Sequence, residues 1–124
     1  MNRIEYIPGD LVNTLFGIAK ITNVYKEGSY DFEGKSFSGS DTCEPIPLTP
    51  EILEKNGWKV YHRGTRFIFI IDDNSYIIIE WRNNEVFKAF LFRGAKYARL
   101  IDLLYVHQLQ HLLFGLGLKT EMEV

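Results

Sequence analysis

Two histidines, His107 and His111, stand four residues apart in a segment with a helical apolar period. On a helix this spacing lets two imidazoles reach one metal ion. The residues between them, Gln108-Leu109-Gln110, lack the glutamate that acts as general base in the zinc-protease pattern. Cys43 and His62 are distant in sequence and supply no evident third ligand. The pattern therefore favours two surface histidines on a polar helix face over a metal site, and it predicts no cofactor.

A second group of residues combines cations with aromatic rings, as single-strand nucleic-acid binders do for phosphate contacts and base stacking. Alternatively, the aromatic residues belong to the core and the cations form a solvated rim. The stretch Phe92-Arg93-Gly94-Ala95-Lys96 has one glycine and is too short for a phosphate-binding loop. The candidate nucleic-acid-binding residues are Arg82, Lys88, Arg93, Lys96 and Arg99, interleaved with Phe87, Phe90, Phe92 and Tyr97.

The composition is that of a folded protein of 124 residues, with 46% hydrophobic and 15% aromatic residues. The single cysteine, Cys43, cannot form an internal disulfide and has no neighbouring motif that would activate it as a nucleophile. The first residues lack a signal-peptide core, and no apolar run is long enough to span a bilayer. We therefore expect a cytoplasmic protein that does not enter a membrane.

Residues 1–43 are predicted to form a small β module. A turn at Pro8-Gly9 precedes an apolar pair, and residues 17–25 alternate apolar and polar side chains over most of their length. Glycine turns then separate the short strands Tyr30-Asp31-Phe32 and Ser36-Phe37-Ser38. The order of turns and strands resembles the start of SH3-like barrels of the Tudor and chromo-barrel sort. Fold alone assigns such a module no function.

Residues 44–124 are predicted to form an α+β segment, either separate or one compact unit with residues 1–43. Pro45 and Pro47 favour an extended backbone. Thr49 and Pro50 then predict a helix N-cap and first turn, and Asn56-Gly57 predicts its end.

Apolar strands at 59–62, 65–71, 76–81 and 86–92 predict an antiparallel meander. In the third strand, alternation places Ile77, Ile79 and Trp81 on one face. A closing helix capped by Asp102 is predicted to cover that face, with its apolar stripe at Tyr105, Leu109, Leu112, Leu113 and Leu116. The mixed second face needs cover from residues 1–43 or from a partner subunit.

Two motifs carry a resemblance to known sequences. They are Ile46-Pro47-Leu48-Thr49-Pro50-Glu51-Ile52-Leu53 with Asn56-Gly57-Trp58, and Tyr105-Val106-His107-Gln108-Leu109-Gln110-His111-Leu112-Leu113-Phe114. Together they resemble a group of uncharacterised proteins from gut Bacteroides-type bacteria and their phages or prophages. The resemblance implies a phage or mobile-element source and carries no activity with it.

The sequence thus predicts an α+β protein with an SH3-like N-terminal β module, a short helix, an antiparallel β-meander and a covering C-terminal helix. The function it favours is a non-enzymatic interaction or accessory protein that binds an unidentified protein or forms a homo-oligomer. The alternative is a nucleic-acid-binding module that uses the basic, aromatic-rich strands.

Overall fold

The computed structural model describes residues 6–14, 17–26, 29–34, 43–82 and 86–124, which form an α+β structure with two antiparallel sheets. The strands are β1 (Leu11–Thr14), β2 (Gly17–Val24), β3 (Tyr30–Phe32), β4 (Glu44–Pro45), β5 (Lys59–Tyr61), β6 (Arg66–Asp72), β7 (Ser75–Arg82), β8 (Val86–Arg93) and β9 (Lys96–Leu103). The helices are α1 (Pro50–Lys55) and α2 (Val106–Gly115), with a 3₁₀ turn at His62–Gly64.

These elements fall into two compact units. Unit 1 comprises Met1–Pro47 and Tyr105–Glu121, and unit 2 comprises Leu48–Leu104 and Met122–Val124. Helix α2 therefore belongs to the same unit as the N-terminal strands. Both units are discontinuous in sequence, whereas the sequence pattern predicted a single boundary after residue 43.

Unit 1 contains the four-stranded sheet, in the order β3-β2-β1-β4. Its core consists of Tyr6, Val12, Ala19, Ile21, Tyr30 and Phe32. The strands expected at 17–25 and 30–32 are confirmed, while the one at 36–38 lies outside the described residues. An SH3-like closure of this sheet stays a prediction.

Unit 2 contains the five-stranded meander, in the order β5-β6-β7-β8-β9. The register pairs Ile77 with Leu91 and Ile79 with Ala89, and Ile77, Ile79 and Ala89 are fully buried. The predicted inward face of the meander is therefore confirmed. The opposite face, on which Ile78 pairs with Phe90, is called the outer face below.

Helix α1 begins and ends as predicted. The Oγ1 of Thr49 accepts a hydrogen bond from the backbone N–H of Ile52 at 3.2 Å, and Pro50 takes the first helical position. Leu53 is fully buried, and the ring of Trp58 lies 5.2 Å from that of Phe69.

The segment before α2 corrects the sequence prediction. Asp102 does not cap the helix, because it lies within β9, a strand that the sequence analysis did not identify. The N-cap is Tyr105, whose backbone N–H donates to Oε1 of Gln108 at 3.0 Å. β9 forms one edge of the sheet and exposes most of its residues, so it lacks the buried stripe that reveals a strand in a sequence.

Candidate functional site

The predicted basic residues divide between the two faces of the meander. Lys88 and Arg99 belong to the outer face, because they share its register with Glu80 and Phe90. Arg93 and Lys96 oppose each other on the face opposite to the outer face, where they form the next pair after Leu91 and Ala98. Arg82 pairs with Val86 at the end of β7. The five cations therefore do not form one continuous basic surface.

A row of alternating charge crosses the outer face. From β6 to β9 it runs Arg66, Glu80, Lys88 and Asp102, each directly opposite the next. Nη2 of Arg66 lies 3.2 Å from Oε1 of Glu80. A second ion pair joins Nη2 of Arg99 to Oδ1 of Asp102 at 3.4 Å. These cations have carboxylate neighbours within the sheet, which reduces what they offer to a phosphate backbone.

Beside the charged row lies an apolar patch. The rings of Tyr76 and Phe92 stack with centroids 5.0 Å apart, and those of Phe92 and Tyr97 with centroids 5.4 Å apart. Ile70 is 59% exposed and Tyr97 is 67% exposed. At strand and residue spacings of about 4.8 and 3.4 Å, two rows across four strands cover on the order of 250 Å². We define the apolar patch as Ile68, Ile70, Tyr76, Ile78, Phe90, Phe92 and Tyr97.

A buried polar cluster lies in unit 1. Oδ2 of Asp10 accepts a hydrogen bond from the backbone N–H of Ile7 at 2.9 Å and lies 2.7 Å from Nε2 of His111. Asp10 is 1% exposed, and burial raises the pKa of its carboxyl, although the bonds to Ile7 and His111 act in the opposite direction. This pair fixes one turn of α2 to the turn that precedes β1.

Gln110 is the second polar anchor of α2. Its Oε1 accepts from the backbone N–H of Leu11 at 2.9 Å. Its Nε2 donates to the carbonyl oxygens of Gly9 and Thr120, both at 3.0 Å. A 3%-exposed amide with three backbone partners holds the helix, the first strand and the C-terminal segment of unit 1 together.

His107 is buried, so the expectation of two surface histidines is wrong for this residue. It is 4% exposed, and its ring centroid lies 5.0 Å from that of Tyr6 and 5.5 Å from that of His111. Its Nδ1 has no hydrogen-bond partner among the residues described. Burial and the neighbouring His111 lower the pKa of His107 to about 4, so its imidazole is neutral at pH 7.

The chemistry that this cluster could perform is limited by access and by ionisation. The cavity beside Asp10, lined also by Gln110 and Phe114, measures about 20 Å³, enough for one water molecule but not for a substrate.

Burial raises the pKa of the Cys43 thiol to about 11, so it is protonated and weakly nucleophilic at neutral pH. The described parts of the chain contain no group of three or more His, Cys, Asp or Glu residues that could hold a metal ion.

Comparison with known proteins gives no match to any family model, curated protein or solved structure. No helix in the described ranges is long and apolar enough to cross a membrane.

Sequence reasoning missed Asp10 and Gln110 as members of a cluster. Asp10 follows the turn at Pro8-Gly9 and reads as a turn residue, while Gln110 reads as part of a polar helix face. Their partners come from the opposite end of the chain, and a periodicity analysis does not detect such pairings.

Proposed function

We propose that this protein is a non-enzymatic interaction module whose outer sheet face binds another protein surface, in the first place a second copy of this chain. The observation that carries the proposal is the apolar patch, with Ile70 and Tyr97 largely exposed at its two edges. The largest apolar patch of a typical monomer covers about 300–600 Å² and is often functional, and a patch of this order is compatible with a weak interaction site.

The charged row favours a second copy as the occupant. A two-fold axis parallel to the strands, between β7 and β8, reverses the strand order in the facing copy. Glu80 then faces Lys88 of the second copy, and Arg66 faces its Asp102, so both cations of the charged row meet a carboxylate. Sheets that pack face to face within about 30° keep this order. A surface that complements itself in this way is what a two-fold dimer requires.

Under the same operation, one row of the outer face places Ile78 opposite Phe90 but Ile68 opposite Arg99, and the other row is apolar throughout. Tyr76 faces Phe92 of the second copy, and Ile70 faces its Tyr97. The patch is smaller than the roughly 800 Å² per partner of standard interfaces, so we expect a weak, concentration-dependent dimer.

Sedimentation velocity from about 10 µM to about 1 mM tests this proposal over the range of weak affinities. Wild type is expected to shift from monomer to dimer, and Tyr97→Lys is expected to remain monomeric. The matched control is Phe114→Lys, because Phe114 has the same 67% exposure but lies on α2. Dimerisation unchanged by Tyr97→Lys, or lost equally in the control, would contradict the proposal.

The second candidate is single-stranded nucleic-acid binding. The outer-face cations Lys88 and Arg99 lie close in register to the Tyr76, Phe92 and Tyr97 rings, and stacking with phosphate contacts is the basis of such binding. Titration with single-stranded DNA and RNA over a salt series tests it. Binding that weakens with salt and is lost when Lys88 and Arg99 are changed to Glu would support it. Binding unaltered by those changes would exclude it.

The cellular setting is also proposed. The free Cys43 fits a reducing compartment, the cytoplasm. The two motifs around α1 and α2 support a role as an accessory protein of a phage or mobile element of Bacteroides-type bacteria.

A further inference from the structure

A pocket of about 240 Å³ opens at the β8–β9 end of the meander, on the side away from the outer-face register. It is smaller than the roughly 300–1,000 Å³ of pockets for drug-sized ligands. It therefore suits a compact molecule. Its walls are Leu91, Arg93, Lys96, Tyr97 and Ala98.

Two cations oppose each other across this pocket. Arg93 and Lys96 are directly paired across β8 and β9, an arrangement in which like charges destabilise the sheet. Neither side chain forms an ion pair with a carboxylate among the described residues. An anion between the two side chains would convert this repulsion into two attractive contacts.

The arginine is held in place before any ligand binds. Its Nε donates to Oγ of Ser75 at 3.2 Å, and Ser75 is 3% exposed. This bond leaves the terminal nitrogens of the guanidinium available as paired donors for a carboxylate or phosphate. Preorganisation of this kind lowers the entropy cost of binding.

Apolar surface lies next to the charges. Leu91 and Ala98 are opposite each other and line the pocket. Cations beside apolar walls match a ligand that has an anionic head and an apolar body.

We propose that this pocket binds a compact organic anion, with a carboxylate or phosphate held by Arg93 and Lys96 and an aromatic or short apolar body against Leu91 and Ala98. The site is distinct from the self-association surface, because Leu91, Arg93, Lys96 and Ala98 belong to the register opposite to the outer face.

Titration of the full-length protein at monomer concentrations, followed by ¹H–¹⁵N and methyl NMR, tests the pocket. The probes are benzoate and phenyl phosphate, with benzyl alcohol and inorganic phosphate as probes that lack the charge or the apolar body. Saturable shifts centred on Leu91 and Ala98 are expected for the first two probes, with weaker binding of the last two. Equal binding of benzyl alcohol, or shifts spread over all surface lysines, would overturn the proposal.

Lys96→Gln is expected to weaken benzoate binding by about tenfold, the effect of losing one charge-assisted contact. Lys59→Gln is the matched control, since Lys59 is also an exposed edge-strand lysine but lies on β5. Lys96 and Lys59 are both exposed, so neither change threatens folding. Unchanged affinity in Lys96→Gln, or an equal loss in Lys59→Gln, would also overturn the proposal.

Discussion

Nε2 of His111 lies 2.7 Å from Oδ2 of Asp10, a residue 101 positions earlier in the chain. With the backbone N–H of Ile7 donating to the same oxygen at 2.9 Å, the contact joins α2 to the turn before β1. Asp10 is buried beside a cavity that holds no more than a water molecule. The pair therefore acts as a structural clasp of unit 1.

Removal of this carboxylate is expected to destabilise the protein. Asp10→Ala leaves the Ile7 N–H and the His111 imidazole without their acceptor, at a cost of about 2–3 kcal/mol in the free energy of unfolding. Asp10→Asn keeps one acceptor oxygen and is expected to lose about half as much. Urea denaturation at pH 7 measures both values. Equal stability of Asp10→Ala and wild type would show that the clasp contributes nothing.

Gln110 is expected to be as sensitive, because its amide satisfies three backbone groups. Gln110→Met preserves the length of the side chain and leaves all three unpaired, so we expect a loss of about 2–4 kcal/mol. Gln108→Met, a change at a partly exposed position of the same helix, is the comparison variant, because it removes the bond to the Tyr105 N–H. A smaller loss at Gln110 than at Gln108 would contradict this account.

The neutral, buried His107 predicts a dependence of stability on pH. The unfolded chain binds a proton near pH 6.5, whereas the folded chain does so only near pH 4. Stability from this group is therefore present above pH 6.5 and is lost as the pH falls towards 4, by on the order of 2–3 kcal/mol. Asp10, with its raised pKa, contributes in the opposite direction, so a His107 variant is needed to isolate the effect.

His107→Phe removes the titrating group and keeps a ring beside Tyr6. As the pH falls from 7 to 4, the free energy of unfolding of this variant is expected to rise relative to that of wild type. His107→Gln, which also cannot titrate, should show the same trend. Chemical denaturation at half-unit steps of pH measures the difference, and a difference that stays constant with pH would refute the burial argument.

Helix α1 depends on its N-cap. Thr49→Ala removes the acceptor of the Ile52 N–H and is expected to cost about 1 kcal/mol in the free energy of unfolding. Thr49→Ser retains the hydroxyl and should lose only a few tenths of that value. Thermal denaturation of the two variants compares them directly, and an equal loss in both would point to the methyl group instead of the cap.

The parts of the fold that the sequence predicted are those with local signals. Thr49 and Pro50 mark a helix start through their own chemistry, and alternation along β7 places Ile77 and Ile79 inward. The strand β9 gave no such signal, because an exposed edge strand has no buried stripe. The predicted helix cap at Asp102 was wrong for the same reason, because this residue lies within β9.

The candidate site was predicted only in part. The aromatic and basic residues of the meander were identified, but strand alternation places Lys88 and Arg99 on the opposite face from Arg93 and Lys96. The burial of His107 and Gln110 contradicts the polar appearance of their helix face. Their neighbours lie about a hundred residues away in sequence, so the helical period of the segment cannot reveal these contacts.

The central claim is that the outer face pairs with itself, and a charge exchange between two variants tests it most directly. Glu80→Lys and Lys88→Glu each place like charges opposite each other in the two-fold dimer, so each variant alone is expected to be monomeric. An equimolar mixture restores both attractive pairs and is expected to form a heterodimer. Sedimentation velocity of the two variants, separately and mixed, measures this after thermal denaturation has shown that both fold. A mixture that remains monomeric while wild type dimerises, or single variants that dimerise like wild type, would contradict the account.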